Sequence, residues 1–351
     1  MINQVRVRRN ALAETDRAAH ETVLAAGQAR FAVDSFALTA NNVTYAAHGD
    51  DMKYWEFYPG DAEWGVVPVW GFARSVESHA EGIDAGDRFY GYWPMADGAV
   101  LTPIKVSPRG FIDGAAHRRG LAAVYNGYAR IVPAMADEAA YALFRPLFLT
   151  SFLLDAAFAD TGATLVLTSA SSKTALGLAQ LAKARGGARV VGLTAPRNRA
   201  FVAATGYYDT VATYDEVATL DAHGSVACAD FAGNGAVRAA IHERFGDAVV
   251  KSLVIGDTHW DTSGTARDLP GVRPEGFFAP SVLQTQIAAH GQAAFDAGVD
   301  AAWTAFVAST APWLRIEYVD GLDAAAAAWT RLANGDVDPA IGMIVRPGGA
   351  A

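Results

Sequence analysis

The residues between Thr164 and Ala184 carry the pattern of a loop that binds the phosphates of a nucleotide. The segment reads TLVLTSASSKTALGLAQLAKA, in which an apolar run ends in small residues and an alanine-rich helical pattern follows. A strand, a tight turn and a helix form the start of a dinucleotide-binding βαβ unit. Glycines normally occupy this turn, where Ser169, Ser171 and Thr174 stand here. The predicted chemistry is the binding of a pyrophosphate at the N-terminus of the helix.

The candidate cofactor-binding residues of this turn are Ser171, Ser172, Lys173 and Thr174. Serine is nearly as small as glycine, so Ser171 and Ser172 preserve the close approach of the backbone and add hydroxyl donors. Thr174 can cap the helix, and Lys173 places a mobile positive charge where a phosphate would lie. The alternative is a degenerate turn that has lost its ligand, with Lys173 in solvent.

The end of the second strand of this unit indicates which nucleotide is bound. An NAD-preferring site places an acidic side chain here for the ribose hydroxyls, but residues 191–199, VGLTAPRNR, contain none. Thr194 and Arg197, with Arg199, would instead hold a 2′-phosphate through charge-assisted hydrogen bonds. We therefore predict NADP(H) rather than NAD(H). The alternative is a pair of surface arginines at the start of a helix.

A second group of candidates combines aromatic and amide side chains. Asn41, Asn42 and Tyr45 come shortly before Trp55 and Tyr58. Adjacent asparagines favour a turn, and aromatic walls with a few polar groups are typical of small-molecule sites. Trp55 and Tyr58 therefore either line a substrate pocket or cover the end of a barrel.

Two parts of the chain with different secondary-structure patterns must position these side chains. Residues 1–138 have short apolar runs separated by Gly-Asp turns, which favours a small β-barrel. In residues 139–310 strand and helix patterns alternate, which predicts a parallel sheet with crossover helices. The tail, 311–351, has the pattern of a strand, a helix and a strand.

Composition excludes several classes of protein. The 351 residues carry a net charge of −9, which argues against nucleic-acid binding. The single cysteine, Cys228, excludes a disulfide framework and a multi-cysteine zinc site. No apolar run approaches about 18 residues, and the basic N-terminal segment lacks an apolar region behind it. We expect a cytoplasmic protein without a membrane span or a secretory signal.

The order of these parts resembles the medium-chain dehydrogenase/reductase superfamily, and most closely its zinc-independent quinone- and enone-reductase branch. Residues 33–41 are similar to the strand and turn before that branch's asparagine near the nicotinamide. Four further segments resemble the branch motifs VGDRVxG, GASGGVG, ELGADxVIDY and GKxVLxP, namely residues 85–91, 169–175, 201–214 and 342–347. The paired asparagines with the aromatics that follow resemble a divergent bacterial subgroup.

The resemblance implies an α/β fold with two domains. A GroES-like β-barrel catalytic domain would comprise residues 1–138, completed by 311–351, and a doubly wound Rossmann domain with a parallel sheet would comprise 139–310. Where the zinc enzymes of the superfamily have a GHE motif this chain reads Val69-Trp70-Gly71-Phe72. The resemblance therefore implies no zinc, and it also implies a possible homodimer.

The resemblance also implies catalytic roles. Asn41 or Asn42 would bind the substrate carbonyl, and Tyr45 or His259 would protonate the product. His259 lies in the loop after the fifth strand of the Rossmann domain, which borders the nicotinamide in the family. Gly256, three residues earlier, would contact the cofactor.

Phe277 and Phe278 stand in a region that forms part of the substrate cleft in the family, or else they belong to the apolar core.

The predicted function is an NADPH-dependent, zinc-independent oxidoreductase that reduces an activated C=C bond, a quinone or a carbonyl of a small molecule. The glycine-free turn leaves an alternative, a reductase-like protein without nicotinamide turnover that binds a ligand or catalyses a redox-neutral step.

Overall fold

The computed structural model describes residues 1–131, 137–221, 224–256, 269–277 and 279–349. The chain forms two compact units. The first comprises Met1–Leu143, Arg315–Val337 and Ile341–Ala351, and the second comprises Phe144–Leu314 and Asp338–Ala340.

The N-terminal part consists of short strands and one short helix. They are β1 (Ile2–Arg8), β2 (Ala11–His20), β3 (Ala29–Leu38), α1 (Ala40–Ala47), β4 (Trp64–Gly65), β5 (Pro68–Ser78), β6 (Arg88–Pro94), β7 (Gly98–Leu101), β8 (Pro103–Ser107), β9 (Gly110–Asp113) and β10 (Gly127–Arg130). Successive side chains of a strand point to opposite faces. Phe89 and Trp93 of β6 therefore pack into the barrel core, while Tyr90 and Tyr92 face the other side.

Helix α1 begins where the sequence analysis predicts a turn at the paired asparagines, and that prediction is wrong. Thr39 has extended backbone angles and is the N-cap residue, and Asn42 occupies the third helical position. The side-chain oxygen of Asn42 accepts the backbone N–H of Thr39 at 2.8 Å. This is a capping box, which stabilises the first helical turn.

From Glu138 onward helices and strands alternate. They are α2 (Glu138–Phe158), β11 (Thr164–Leu167), α3 (Lys173–Arg185), β12 (Val190–Thr194), α4 (Arg199–Ala204), β13 (Thr210–Thr213), β14 (Val226–Asp230), α5 (Gly235–Phe245), β15 (Val249–Val254), β16 (Glu275–Gly276), α6 (Ala279–His290) and α7 (Gln292–Thr310). The sequence pattern predicts one long helix over 281–309, but the helix is interrupted at Gly291, whose φ of 80° is incompatible with α-helix.

The strands of the second unit form a parallel sheet in the order β13-β12-β11-β14-β15-β16. Every residue of β11, β12 and β14 is buried, as expected for central strands that helices cover on both faces. The strand order reverses between β11 and β14, and ligands of such sheets bind at the carboxyl ends of the strands at this point.

The C-terminal segments Arg315–Val337 and Ile341–Ala351 belong to the first unit. They contain β17 (Arg315–Asp320), α8 (Leu322–Ala333) and β18 (Ile341–Arg346), and they complete a sheet in the order β17-β18-β3-β5-β6-β10-β9-β8, with β7 also paired to β3. The indole N–H of the buried Trp329 donates to the carbonyl of Leu12 at 2.7 Å, which fixes α8 on the barrel. The predicted α/β fold, a β-barrel domain and a doubly wound parallel sheet, is confirmed.

One helical stretch of the described residues, Glu138–Thr161, is long and apolar enough to cross a membrane. Half of its most apolar window is buried inside the protein, and the core helix of a soluble protein meets the same criteria of length and composition. This is weak evidence for a span, and the absence of a membrane partner stays a prediction.

Candidate functional site

The loop between β11 and α3 lies at the point where the strand order reverses. Its second residue, Ser169, has a φ of 45°, in the left-handed region, which costs a residue other than glycine roughly 1–2 kcal/mol. The Ser169 N–H donates to the hydroxyl of Tyr214 at 3.1 Å, and its carbonyl accepts the N–H of Ser172 at 2.7 Å. A serine therefore holds the conformation for which the family motif has glycine.

The sequence analysis predicts that Thr174 caps α3, but the N-cap residue is Ser172. The helix begins at Lys173, and the hydroxyl of Ser172 accepts the N–H of Ala175 at 3.3 Å. Thr174 lies within the first turn, where its side chain cannot cap. Among the groups that the structure describes, none accepts the backbone N–H of Ser171 or Thr174. These donors at a helix N-terminus have the arrangement that binds an anion.

Lys173 is a half-buried lysine at the first position of α3. Burial lowers the pKa of its ammonium group to about 8, while the nearby carboxylate of Asp338 acts in the opposite direction. A phosphate beside Lys173 would favour the charged form and raise this pKa again. The lysine is therefore suited to an anionic ligand.

The two predicted arginines that follow β12, Arg197 and Arg199, have different surroundings. Arg199 pairs with Glu216 at 2.9 Å, which leaves it less suited to a 2′-phosphate. Arg197 is exposed in the turn Pro196–Asn198, and Thr194, the last residue of β12, is buried. The amide of Asn198, which the sequence analysis missed, donates to the hydroxyl of Ser171 at 3.0 Å. The available signal in the sequence was a polar side chain that stands between two arginines.

A fully buried carboxylate stands next to this loop, at the end of β14. One oxygen of Asp230 accepts the hydroxyl of Thr168 at 2.7 Å, and the other forms an ion pair of 2.6 Å with Arg238. Thr168 immediately precedes Ser169. The sequence analysis missed this network, although an acidic residue that ends the apolar segment VACAD was a usable signal.

The remaining predicted residues of the second unit are only partly described. His259 and Phe278 lie outside the described residues. Gly256 follows β15, and a Cβ at this position would lie 2.9 Å from the carbonyl oxygen of Phe231, so the backbone passes too closely for a side chain. Phe277 packs against an apolar cluster that includes Leu153 and Phe295, which agrees with its core alternative.

The first unit contains an aromatic cluster on the side of β6 that faces away from the barrel core. We call it the tyrosine cluster. Its members are Tyr45, Tyr54, Phe57 and Tyr92, with the partly buried Tyr58, Trp70, Leu121 and Tyr125 packed against them. The indole N–H of Trp70 donates to the hydroxyl of Tyr45 at 3.1 Å. Burial raises the pKa of Tyr45, which keeps the phenol neutral.

Tyr92 is a polar residue of this cluster that the sequence analysis missed. Its side chain is fully buried, and among the described residues its hydroxyl has no hydrogen-bond partner. An unpaired buried hydroxyl costs about 1–3 kcal/mol, and such a group calls for an explanation. Alternation along β6, with Phe89 and Trp93 inward, was the signal that places Tyr92 on this face.

Asn42 and Trp55 have structural roles that the sequence analysis did not predict. The amide nitrogen of Asn42 donates to the carbonyl of Pro68 at 3.1 Å while its oxygen caps α1, so both atoms of this buried side chain are engaged within the protein. The Trp55 ring lies between Gly49 and Gly65, where a Cβ would come within 2.0 and 2.3 Å of it.

Trp55 and Tyr58 also contact two further features of the first unit. Trp55 lines a cleft of about 250 Å³, whose other lining residues are Arg9, Gly49, Asp50, Glu56, Pro59, Gly60 and His117. The hydroxyl of Tyr58 donates to the carbonyl of Tyr92 at 2.5 Å, and its ring lies 4.8 Å from the guanidinium of Arg118. The Tyr58 hydroxyl is therefore engaged with the protein itself.

The two units have the architecture of the medium-chain dehydrogenase/reductase superfamily. The structure is similar to that of CurA from Vibrio vulnificus in complex with NADPH, with a TM-score of 0.67 and 16% identity over 99% of this chain and 100% of that chain. A putative NADPH:quinone reductase from Mesorhizobium loti has a TM-score of 0.64 and 14% identity over 99% and 98%. Mycobacterial Rv1454c complexed with NADPH has a TM-score of 0.59 and 14% identity over 99% and 100%.

Within this fold class the chain belongs to the family described as "Protein of unknown function (DUF2855)", whose model matches residues 36–338. No curated protein matches the sequence.

Proposed function

We propose that this protein is an NADPH-dependent, zinc-independent oxidoreductase that reduces an activated C=C bond, a quinone or a carbonyl of a small molecule. The observation that carries the proposal is the β11–α3 loop, in which Ser169 adopts the conformation of a glycine and α3 presents N–H donors and Lys173. The NADPH complexes of two proteins with similar folds support it. A cytoplasmic location and a homodimer stay predictions.

The cofactor site fits the group that the fold family implies. The N–H groups of Ser171 and Thr174 and the ammonium of Lys173 would hold the pyrophosphate. Thr194 and Arg197 would hold the 2′-phosphate, and no acidic residue lies in residues 191–199 to repel it.

The tyrosine cluster supplies the groups that act on the substrate. Bound NADPH would supply a hydride. The Tyr45 phenol, held by the indole N–H of Trp70, is the proton donor, and its raised pKa keeps it protonated at neutral pH. The hydroxyl of Tyr92, which has no hydrogen-bond partner among the described residues, lies in the same cluster. Asn41 stays the candidate that would bind the substrate carbonyl.

Titration of the purified protein with NADPH tests the proposal. We expect saturable enhancement of nicotinamide fluorescence and a rise in melting temperature, since a ligand at 100 times its Kd stabilises the folded state by about 2.7 kcal/mol. Oxidation of NADPH in the presence of quinones or enones would establish the reaction. No response to millimolar NADPH would refute the proposal, and binding without oxidation would favour the non-redox alternative.

Arg197→Ala is expected to weaken NADPH binding about ten- to a hundredfold while NADH binding changes less than about threefold, because one charge-assisted contact to phosphate contributes about 1.5–3 kcal/mol. Arg199→Ala is the matched control, since Arg199 already pairs with Glu216. Both Kd values are measured by fluorescence titration. Equal losses for the two cofactors would refute the assignment of Arg197.

The affinity for NADPH is expected to fall as pH rises from 7 to 9. Lys173, with a pKa of about 8, is mostly charged at pH 7 and mostly neutral at pH 9, so fewer molecules carry the cation that binds phosphate. Binding should take up a fraction of a proton near pH 8, which calorimetry in buffers of different ionisation enthalpy detects. Lys173→Met should bind more weakly at pH 7 and lose this slope. A slope that persists in Lys173→Met would contradict the role.

A further inference from the structure

Tyr208 stands next to the glycine-free loop, just before β13. Its side chain is buried, and its hydroxyl donates to the carbonyl of Ala170 at 2.7 Å. The N–H of Ala170 donates to the carbonyl of Leu193 in β12 at 3.0 Å. The residue that follows the left-handed Ser169 is therefore held through both its N–H and its carbonyl.

The space for the Tyr208 ring depends on a glycine in the neighbouring strand. A Cβ on Gly192 of β12 would lie 2.7 Å from Cδ1 of Tyr208 and 2.9 Å from Cβ of Ala170, which is closer than real Cβ contacts come. Gly192 lies in a strand and has no positive φ. Glycine matters at this position because the absence of a side chain leaves space for the Tyr208 ring. The loop lacks glycine, but the strand beside it supplies one.

A second tyrosine acts on the adjacent residue of the loop. Tyr214, just after β13, accepts the N–H of Ser169 at 3.1 Å, so tyrosines from both ends of β13 contact consecutive residues. A non-glycine residue in the left-handed region persists only where its surroundings over-determine it. The hydrogen bonds of Tyr208 and Tyr214 provide such surroundings.

We infer that Tyr208 is a positioning residue for the cofactor: with the space left by Gly192, it holds the glycine-free loop in the shape that directs the N–H groups of Ser171 and Thr174 toward a pyrophosphate. The inference rests on the proposed function. It explains how serine and alanine replace glycines in a phosphate loop, since side chains outside the loop restrict the conformation that glycine would otherwise reach freely.

Tyr208→Phe tests the inference, because it removes the hydroxyl and keeps the ring. We expect the Kd and KM for NADPH to rise about five- to tenfold, as for the loss of one hydrogen bond, with kcat unchanged at saturating NADPH. The matched control is Tyr207→Phe, whose hydroxyl contacts the carbonyl of Ser309 at 2.9 Å and the indole of Trp313 at 3.0 Å. This control should lower the melting temperature without changing the Kd.

Gly192→Ala provides a second variant, with Gly276→Ala as its control because a Cβ there meets nothing within 4 Å. Amide hydrogen exchange of residues 169–172 without cofactor should accelerate in Tyr208→Phe and Gly192→Ala and not in the two controls. Unchanged exchange, or equal rises in Kd for Tyr208→Phe and Tyr207→Phe, would overturn the inference. A wild-type protein that fails to bind NADPH but shows the expected exchange would refute the proposed function and leave the positioning of the loop intact.

Discussion

Asp113→Ala is expected to lower the free energy of unfolding of the first unit by about 3–5 kcal/mol, the range for breaking a buried ion pair. Asp113 and Arg118 are paired at 3.0 Å with side chains only 1% exposed. The same carboxylate accepts the N–H groups of Thr102 at 3.0 Å and Ala115 at 3.1 Å. Its removal leaves a buried guanidinium and two backbone donors without their acceptor.

Chemical denaturation followed by tryptophan fluorescence measures this effect. Asp323→Ala is the control, because its ion pair with Arg17 is exposed and such pairs contribute about 0–1 kcal/mol. The double variant Asp113→Ala/Arg118→Met should recover part of the loss, since it no longer buries an unpaired charge. A loss below about 1 kcal/mol for Asp113→Ala would show that water reaches this pair.

Asp230→Ala is expected to destabilise the second unit by about 3–5 kcal/mol and to weaken NADPH binding as well. Arg238, only 4% exposed, would lose its ion pair with Asp230. The Asp230 carboxylate also accepts the hydroxyl of Thr168 and the N–H groups of Ala232 and Gly233. The effect should therefore reach the phosphate loop through Thr168, directly before Ser169.

Two measurements separate stability from binding in this variant. Denaturation gives the loss of stability, and titration with NADPH well below the melting temperature gives the change in Kd. Lys183→Ala is the control, because the pair of Lys183 with Asp209 is exposed and should contribute less than about 1 kcal/mol. An Asp230→Ala protein within 1 kcal/mol of the wild type would contradict the buried pair.

Secondary structure was predicted best where the local sequence of a segment is enough to define the element. β11 and β18 have the predicted bounds, 164–167 and 341–346, because a short apolar run between turn residues has few alternatives. The β1–β2 hairpin was missed. Its valines alternate with arginines whose charges are paired to residues distant in the chain, such as Arg8 with Glu63, and this pairing is invisible in the local sequence.

In the candidate site too, the residues that local sequence could indicate differ from those that depend on distant contacts. Lys173 and Arg197 were proposed as cofactor-binding residues from their types and positions, because a cation near a strand end has a direct chemical meaning, and these roles stay predictions. Asn42 was misassigned because an amide can cap a helix or bind a carbonyl, and only the 2.8 Å contact with Thr39 distinguishes the two. Tyr208 was missed because its contact with Ala170 spans 38 residues.

The sequence by itself determined the class of fold, the place of the loop between β11 and α3 and the absence of an acidic residue at the end of β12. These properties depend on local patterns and on residue type. Only the tertiary structure decided which side chains hold the loop, that Ser172 caps α3, and that the hydroxyl of Tyr92 is buried without a partner in the described chain. Burial and hydrogen bonding depend on which distant residues meet, and no local pattern contains that information.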